Sequence, residues 1–350
     1  MVQEVDSRAF PLSEARGLVR DLMTPNPLIY WADFLFHITL GWAAFAAALA
    51  VAAGPVWQIL CGIVAALSLY RAAIFIHELA HLKRGTFRFF RLVWNVLCGI
   101  PLLIPSFTYD GVHNHHHKRD VYGTKEDGEY LPFATHKPGG MIGYVFLSFL
   151  LPVFFVGRFL VLTPLSYAIP PLRKFVWRRA SSLTIDLSYQ RPDNAVRNDE
   201  GWRLQELAAC LFAVAVVGAV VLGFLNYKVL VLWYAISVFV FFLNSLRTLA
   251  AHAYRNPGDH SLDVAGQYLD SVDVPGNLFF TALWAPVGLR YHATHHLFPG
   301  VPYHNLGKAH RRLRDELSDG SYCQSTLRSG LCAALRRIWN EARLASTPAR

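Results

Sequence analysis

Apolar residues along this chain gather into runs of membrane-crossing length. The first extends roughly from Asp33 to Pro55 and stops at a Gly54-Pro55 turn. The second starts near Trp57, and about 20 residues at ~1.5 Å rise cross a ~30 Å hydrocarbon core, which brings it to Ile76. Leu207 to Leu225 forms the third, Asn226-Tyr227-Lys228 a short turn, and the fourth returns from Val229 to the neighbourhood of Thr248. This pattern predicts an all-α integral membrane protein with about four transmembrane helices in two hairpins.

Other apolar stretches are shorter or broken. Trp94 to Phe107 spans only 14 residues and holds Pro101 and Pro105, so an interfacial or re-entrant piece is expected. Met141 to Pro171 is interrupted by Pro152, Arg158, Pro164 and Pro170 and is expected as an interfacial helix pair or a hairpin. Leu278 to Leu289, with Pro286, repeats the short, proline-broken pattern. The expected organisation is a lead-in over 1–32, a membrane domain over 33–317 and a basic tail over 318–350. Near Leu306, Leu313 and Leu317 a helix on the membrane surface is expected, followed by a loose tail. Met1 to Asn26 carries both signs of charge and no apolar core, unlike a cleavable signal peptide.

Composition agrees: 53% of residues are hydrophobic and 16% charged, far from an ordinary soluble domain. The net charge of +9 collects around the histidine-rich segments, as in Lys83-Arg84-Gly85, and along the C-terminal segment. On a membrane protein this predicts a cytoplasmic face for the N-terminus, the histidine-rich segments and the C-terminus. It also suits anionic lipid or an acidic head group, whereas no nucleic-acid motif accompanies it. The five cysteines are odd in number, lack metal-ligand spacing, and are expected to be idle thiols or small core residues.

The candidate chemistry lies in the histidines. Eight of 15 fall in three short blocks: His77-Glu78-Leu79-Ala80-His81, the set His113, His116 and His117, and His292-Ala293-Thr294-His295-His296. On a helix, residues at i, i+3 and i+4 share a face, so His113, His116 and His117 are expected to converge while His115 points away. Imidazole is the commonest metal ligand, so the blocks predict a metal site in a histidine-rich cytoplasmic cap. Span arithmetic surfaces His252 on the same side as His77 and His81. His37 has no histidine neighbour in sequence and is not expected to be a ligand. A rival pattern is H-E-x-x-H over His77–His81, in which Glu78 would be the base of an intramembrane zinc protease. Its third ligand would have to be Asp270, in Leu269-Asp270-Ser271, and both H-x-x-H-H blocks would stand idle. A zinc-binding scaffold would close one site with four ligands, whereas eight or nine histidines suit two metals.

The three blocks, in this order between paired spans, resemble the membrane-bound fatty acid desaturase superfamily over roughly Asp33 to Leu317. The resemblance implies a di-iron, O2-dependent enzyme whose irons are held by His77, His81, His113, His116, His117, His292, His295 and His296, with His252 completing the set. It also implies desaturation of a fatty acyl chain, as in fatty acid biosynthesis, with hydroxylation of a lipid or alkane, or carotenoid-type oxygenation, as the alternative. Electrons would come from a separate carrier of ferredoxin, rubredoxin or cytochrome b5 type, because Lys137 spoils the only haem-like motif, Pro138-Gly139-Gly140. Family members often place an asparagine one turn before the lone histidine, where this chain has Thr248; Asn244 is a turn further back. Glu78, Asp110, Asp120, Asp263 and Asp270 are the acids expected to orient ligand N–H groups.

Overall fold

The computed structural model describes residues 6–50, 54–83, 85–87, 89–193, 201–258 and 260–347. Arg84 of the expected helix stop lies outside them. Regular structure among the described residues is helical, with β-pairing only as isolated bridges.

Among the described residues five helices, one more than expected, are long and apolar enough to cross a membrane: Pro27–Leu49, Pro55–His81, Gly139–Ala168, Trp202–Val221 and Lys228–Ala251. The extra one is the stretch expected as an interfacial pair or hairpin. Pro152 lies inside its first part, and residues Arg158–Leu162 form a π-helical turn, which takes up the register change. Pro164 sits in the first turn of Thr163–Ala168, where a missing N–H costs least. Pro27 and Pro55 likewise open their helices, which moves both starts ahead of the expected Asp33 and Trp57. Phe90–Gly99 is a short apolar helix that ends in π geometry, in keeping with a piece too short to span.

Contacts divide the chain into two units. One comprises Pro27–His113 and Phe146–Phe242. In it, the helices Pro27–Leu49 and Pro55–His81 pack as a hairpin, close enough at Gly41 that a Cβ there would stand 2.8 Å from the Leu69 side chain. Tyr30, Phe34, Phe75 and Phe90 form an aromatic cluster on this hairpin. Arg71 makes a forked ion pair with Asp33 at 2.6 and 2.7 Å, and Trp94 donates to the Ala72 carbonyl at 2.8 Å. Arg158 is buried against Glu206 at 2.5 Å, and Arg173 reaches the same carboxylate at 2.8 Å. This ion cluster explains how an arginine is tolerated within the long helix Gly139–Ala168.

The other unit is assembled from three separated pieces, Met1–Asn26, Asn114–Val145 and Leu243–Arg350. Its core joins Phe10, Val19 and Leu22 to Tyr268, Leu297, Leu306, Leu313 and Tyr322. The N-terminal helix Leu12–Val19 packs on Tyr303–Glu316 and is clasped by polar contacts. Asp21 pairs with Arg312, Glu14 accepts from Ser318 at 2.6 and 2.7 Å, and Asn305 donates to the Leu22 carbonyl at 2.9 Å. Where a loose tail was expected, Ser321–Thr326 and Leu331–Ala345 form two further helices. Leu331–Ala345 packs on Phe133–Thr135, and its Glu341 takes a forked ion pair from Arg255 at 2.7 and 3.0 Å. All five cysteines are free, and all but Cys332 are buried.

Candidate metal centre

Helix Pro55–His81 ends on the first histidine block, which places His77 in its last turn and His81 at its C-terminus. His113 lies in the same unit, and its Nε2 faces Nε2 of His81 at 2.8 Å. Candidate ligand atoms of His77, His81 and His113 all lie within 4.8 Å of one another. Tyr109 stacks on His113 and places its hydroxyl 2.9 Å from Nδ1. Arg91 braces the backbone around this group by donating to the Leu79 carbonyl at 2.6 Å and to Asp110 at 2.5 Å. Glu78 is buried, accepts a hydrogen bond from Tyr30 and stands 3.7 Å from His77 Nδ1.

The three-piece unit contains a second group. His116, His252, His292 and His296 are all buried and bring ligand atoms within 4.8 Å of one another. Nε2 of His292 faces Nε2 of His252 at 3.0 Å and Nε2 of His296 at 3.2 Å. His295 and His117 face each other at 3.2 Å through their own Nε2 atoms. Of the three rings expected to converge, His116 and His117 lie 5.5 Å apart and both contact His296, at 5.0 and 4.3 Å, whereas His113 groups with His77 and His81. Only Val112–His116 is helical, so the shared-face rule ends before His117. His113 joins His77 and His81, His116 joins the tetrad, and His117 pairs with His295. His115 is half-buried and belongs to neither group. His37 pairs with Asp33 at 3.6 Å.

Loop residues support the tetrad. His116 Nδ1 lies 2.8 Å from Asp127, whose carboxylate also accepts the Gly123 and Glu129 N–H groups at 2.9 Å. Burial pulls His116 down, but the Asp127 carboxylate outweighs it and holds the ring above its ordinary pKa. His252 and His296 are held well below theirs by burial and by their neighbours, so both stay in the neutral, ligating form. Asp273 organises the third block: it accepts from Thr294 N at 3.1 Å and Thr294 Oγ1 at 2.6 Å, capping the helix His292–Leu297 from a distance. His310 contacts the same carboxylate through Nδ1 at 2.8 Å.

Of the acids named from sequence, Glu78 flanks a histidine directly. Asp270 accepts from Tyr122 and Tyr130 at 3.1 and 2.6 Å. Asp110 pairs with Arg91, Asp263 caps the helix Val264–Leu269, and Asp120 is exposed. Asn244 is engaged by Arg247 at 2.9 Å, and Thr248 accepts the Tyr254 hydroxyl on its carbonyl at 2.9 Å. Asp127, Asp273, Tyr109, Tyr122 and His310 escaped the sequence reading: Tyr109 stands four residues before His113, a spacing that could have found it, whereas the other four meet their partners only after folding.

The donor set fits a cation. The Nε2 atoms of His292 and His252, of His292 and His296, and of His117 and His295 face one another at 3.0–3.2 Å, a spacing that a positive ion between their lone pairs accounts for. Two nitrogens each about 2.1 Å from one ion and at right angles stand about 3.0 Å apart. All-imidazole donors suit iron, among other transition metals. Neither group includes a carboxylate, and Asp270 is already engaged by two tyrosines, which leaves the zinc-protease pattern without its third ligand.

Comparison with known proteins agrees with this geometry. The family described as fatty acid desaturase matches residues 55–326. A ceramide hydroxylase of Caulobacter vibrioides is 40% identical over 337 residues, which covers 96% of this chain and 95% of that protein. The chain belongs to the fatty acid desaturase family. It is a multi-pass membrane enzyme of the superfamily that unites desaturases with lipid hydroxylases.

One variant separates oxygenase from protease at the first block. Glu78→Gln is expected to keep its metal and to lower lipid oxidation by about 10–100-fold, the usual cost of losing a group that orients a ligand. Complete loss of lipid oxidation at full metal content would make Glu78 a reacting group instead.

Proposed function

We propose that this chain is an iron-dependent, O2-using hydroxylase of a ceramide or closely related sphingolipid. The observation that carries the proposal is near full-length similarity to a ceramide hydroxylase, which favours hydroxylation over the desaturation first expected. His77, His81 and His113, together with His116, His252, His292 and His296, would hold two irons, with His117 and His295 completing the ligand set. When bound, the irons supply the reduction of O2 needed to oxidise an unactivated C–H bond. Overall, one C–H bond, O2, two electrons and two protons give one alcohol and one water. The electrons enter from a separate one-electron carrier of ferredoxin, rubredoxin or cytochrome b5 type. Positive charge near the histidine blocks favours a cytoplasmic site that an acidic carrier can reach.

The protein's own part is to hold the rings and to keep water from the reacting carbon. Asp127 holds His116, Asp273 holds the helix of the third block, and Tyr109 holds His113. The test is expression in a ceramide-producing host under 18O2, followed by mass spectrometry of the lipids. A ceramide with one labelled oxygen is the expected product. An alkene without label would restore desaturation, and unchanged ceramides beside an altered phospholipid acyl chain would change the substrate class. Activity retained after iron is replaced by zinc would end the iron-dependent reading altogether.

A further inference from the structure

The segment Leu269-Asp270-Ser271 looked from sequence like a poor third ligand for a protease; folding gives it a different task. Val272 N donates to the Ala251 carbonyl at 2.8 Å, and Ala253 N donates to the Asp270 carbonyl at 2.5 Å. This isolated antiparallel bridge sets His252 directly opposite Ser271. His252 Nδ1 then lies 3.1 Å from the Ser271 hydroxyl and 2.9 Å from the Tyr122 hydroxyl.

Each hydroxyl carries one proton, and both protons are committed elsewhere. Ser271 donates to the Gln267 carbonyl at 2.8 Å, and Tyr122 donates to Asp270 at 3.1 Å. Toward His252 both oxygens can only accept, so Nδ1 must donate. The lone pair of His252 is thereby placed on Nε2, the atom that faces His292 at 3.0 Å. Asp270 is buried and is itself held by Tyr130 at 2.6 Å and by the Arg255 N–H at 3.2 Å, so the Tyr122 proton has a fixed destination. His116 solves the same problem with a carboxylate; His252 does so with two hydroxyls.

We infer that Ser271 and Tyr122, the latter set by Asp270, are positioning residues that fix His252 in the tautomer able to bind metal through Nε2, and that the two hydroxyls back each other up. The inference rests on the tetrad holding a metal and is independent of whether the product is an alcohol or an alkene.

Redundancy gives a signature that packing alone does not. The full chain is purified in detergent, stripped, and titrated with cobalt(II) against a chelator, as wild type, Tyr122→Phe, Ser271→Ala and the double variant. Each single variant keeps one acceptor and is expected to lose less than about tenfold in affinity, whereas the double variant loses about 10–100-fold, more than the product of the two. In the cobalt form, a hyperfine-shifted imidazole N–H resonance should exchange with D2O faster in the double variant than in either single one. A double-variant loss equal to the product of the single ones, or no loss, overturns the inference. Wild-type protein that binds no cobalt overturns the metal reading with it. If the double variant does not fold, Asp270→Asn carries the test. A carboxamide can offer Tyr122 an N–H, turning the tyrosine proton toward Nδ1 and favouring the wrong tautomer, so cobalt affinity should fall about tenfold. Unchanged affinity in that variant also overturns it.

Discussion

His252→Ala is expected to lose iron from the tetrad and essentially all turnover, whereas His115→Ala keeps its full iron content and most of its activity. The two residues invert what their sequence surroundings suggest. His115 lies in the densest histidine cluster of the chain, yet it is half-buried and belongs to neither candidate metal group. His252 stands far from every block, yet it is buried within 3.0 Å of His292 and its ring lies against those of His116 and His296. Removing it takes from the buried tetrad the ring that faces His292 and contacts both His116 and His296. Iron stoichiometry and product yield, measured on both variants in nanodiscs, check the prediction. Iron lost from His115→Ala and kept in His252→Ala would reverse the ligand assignment.

The second large effect concerns stability. Glu206→Gln is expected to destabilise the protein by about 3–5 kcal/mol, because it leaves a buried guanidinium without its counter-charge. Arg158 and Glu206 are both fully buried, Arg173 shares the carboxylate, and the Tyr167 hydroxyl donates to it at 2.9 Å. The Arg158 and Glu206 side chains are only 1% and 0% exposed, so solvent cannot replace the bonds between them. Replacing the pair together, as Arg158→Met with Glu206→Leu, should recover much of the loss, since well-packed apolar side chains often match a buried ion pair. The exposed pair between Arg178 and Asp193 is the control: its removal should leave stability unchanged within measurement. Thermal unfolding in one detergent, followed by intrinsic fluorescence, distinguishes the three cases. Equal losses from Glu206→Gln and Arg178→Ala would mean that the buried pair is solvated.

These two predictions mark where sequence reasoning was strong and where it ran out. The long apolar runs announced four of the five long helices, because an unbroken run needs no partner to be recognised. The fifth was hidden by Pro152, Pro164 and Pro170 and by Arg158, whose carboxylate partner lies 48 residues further on. The histidine blocks were legible because ligand spacing is local. Their division between the two groups was not, because it depends on where the short helix Val112–His116 ends. Asp127 and Tyr122 could not be found by spacing at all: one comes from a turn and the other answers to Asp270, 148 residues away. The choice between alkene and alcohol lay beyond any histidine count, since the same ligands are expected to serve both outcomes.

The three-piece construction of the unit that holds the tetrad has a consequence for how the protein is made. His295 is synthesised 178 positions after its partner His117, and the clasp between Leu12–Val19 and Tyr303–Glu316 joins an early product of translation to a late one. By the time His292 emerges, all five long apolar helices have already been synthesised. A truncated or stalled chain therefore has His116 without His292 and His296 and cannot close the tetrad. Closure of the tetrad is thus among the last events of synthesis, after the five long apolar helices have been made.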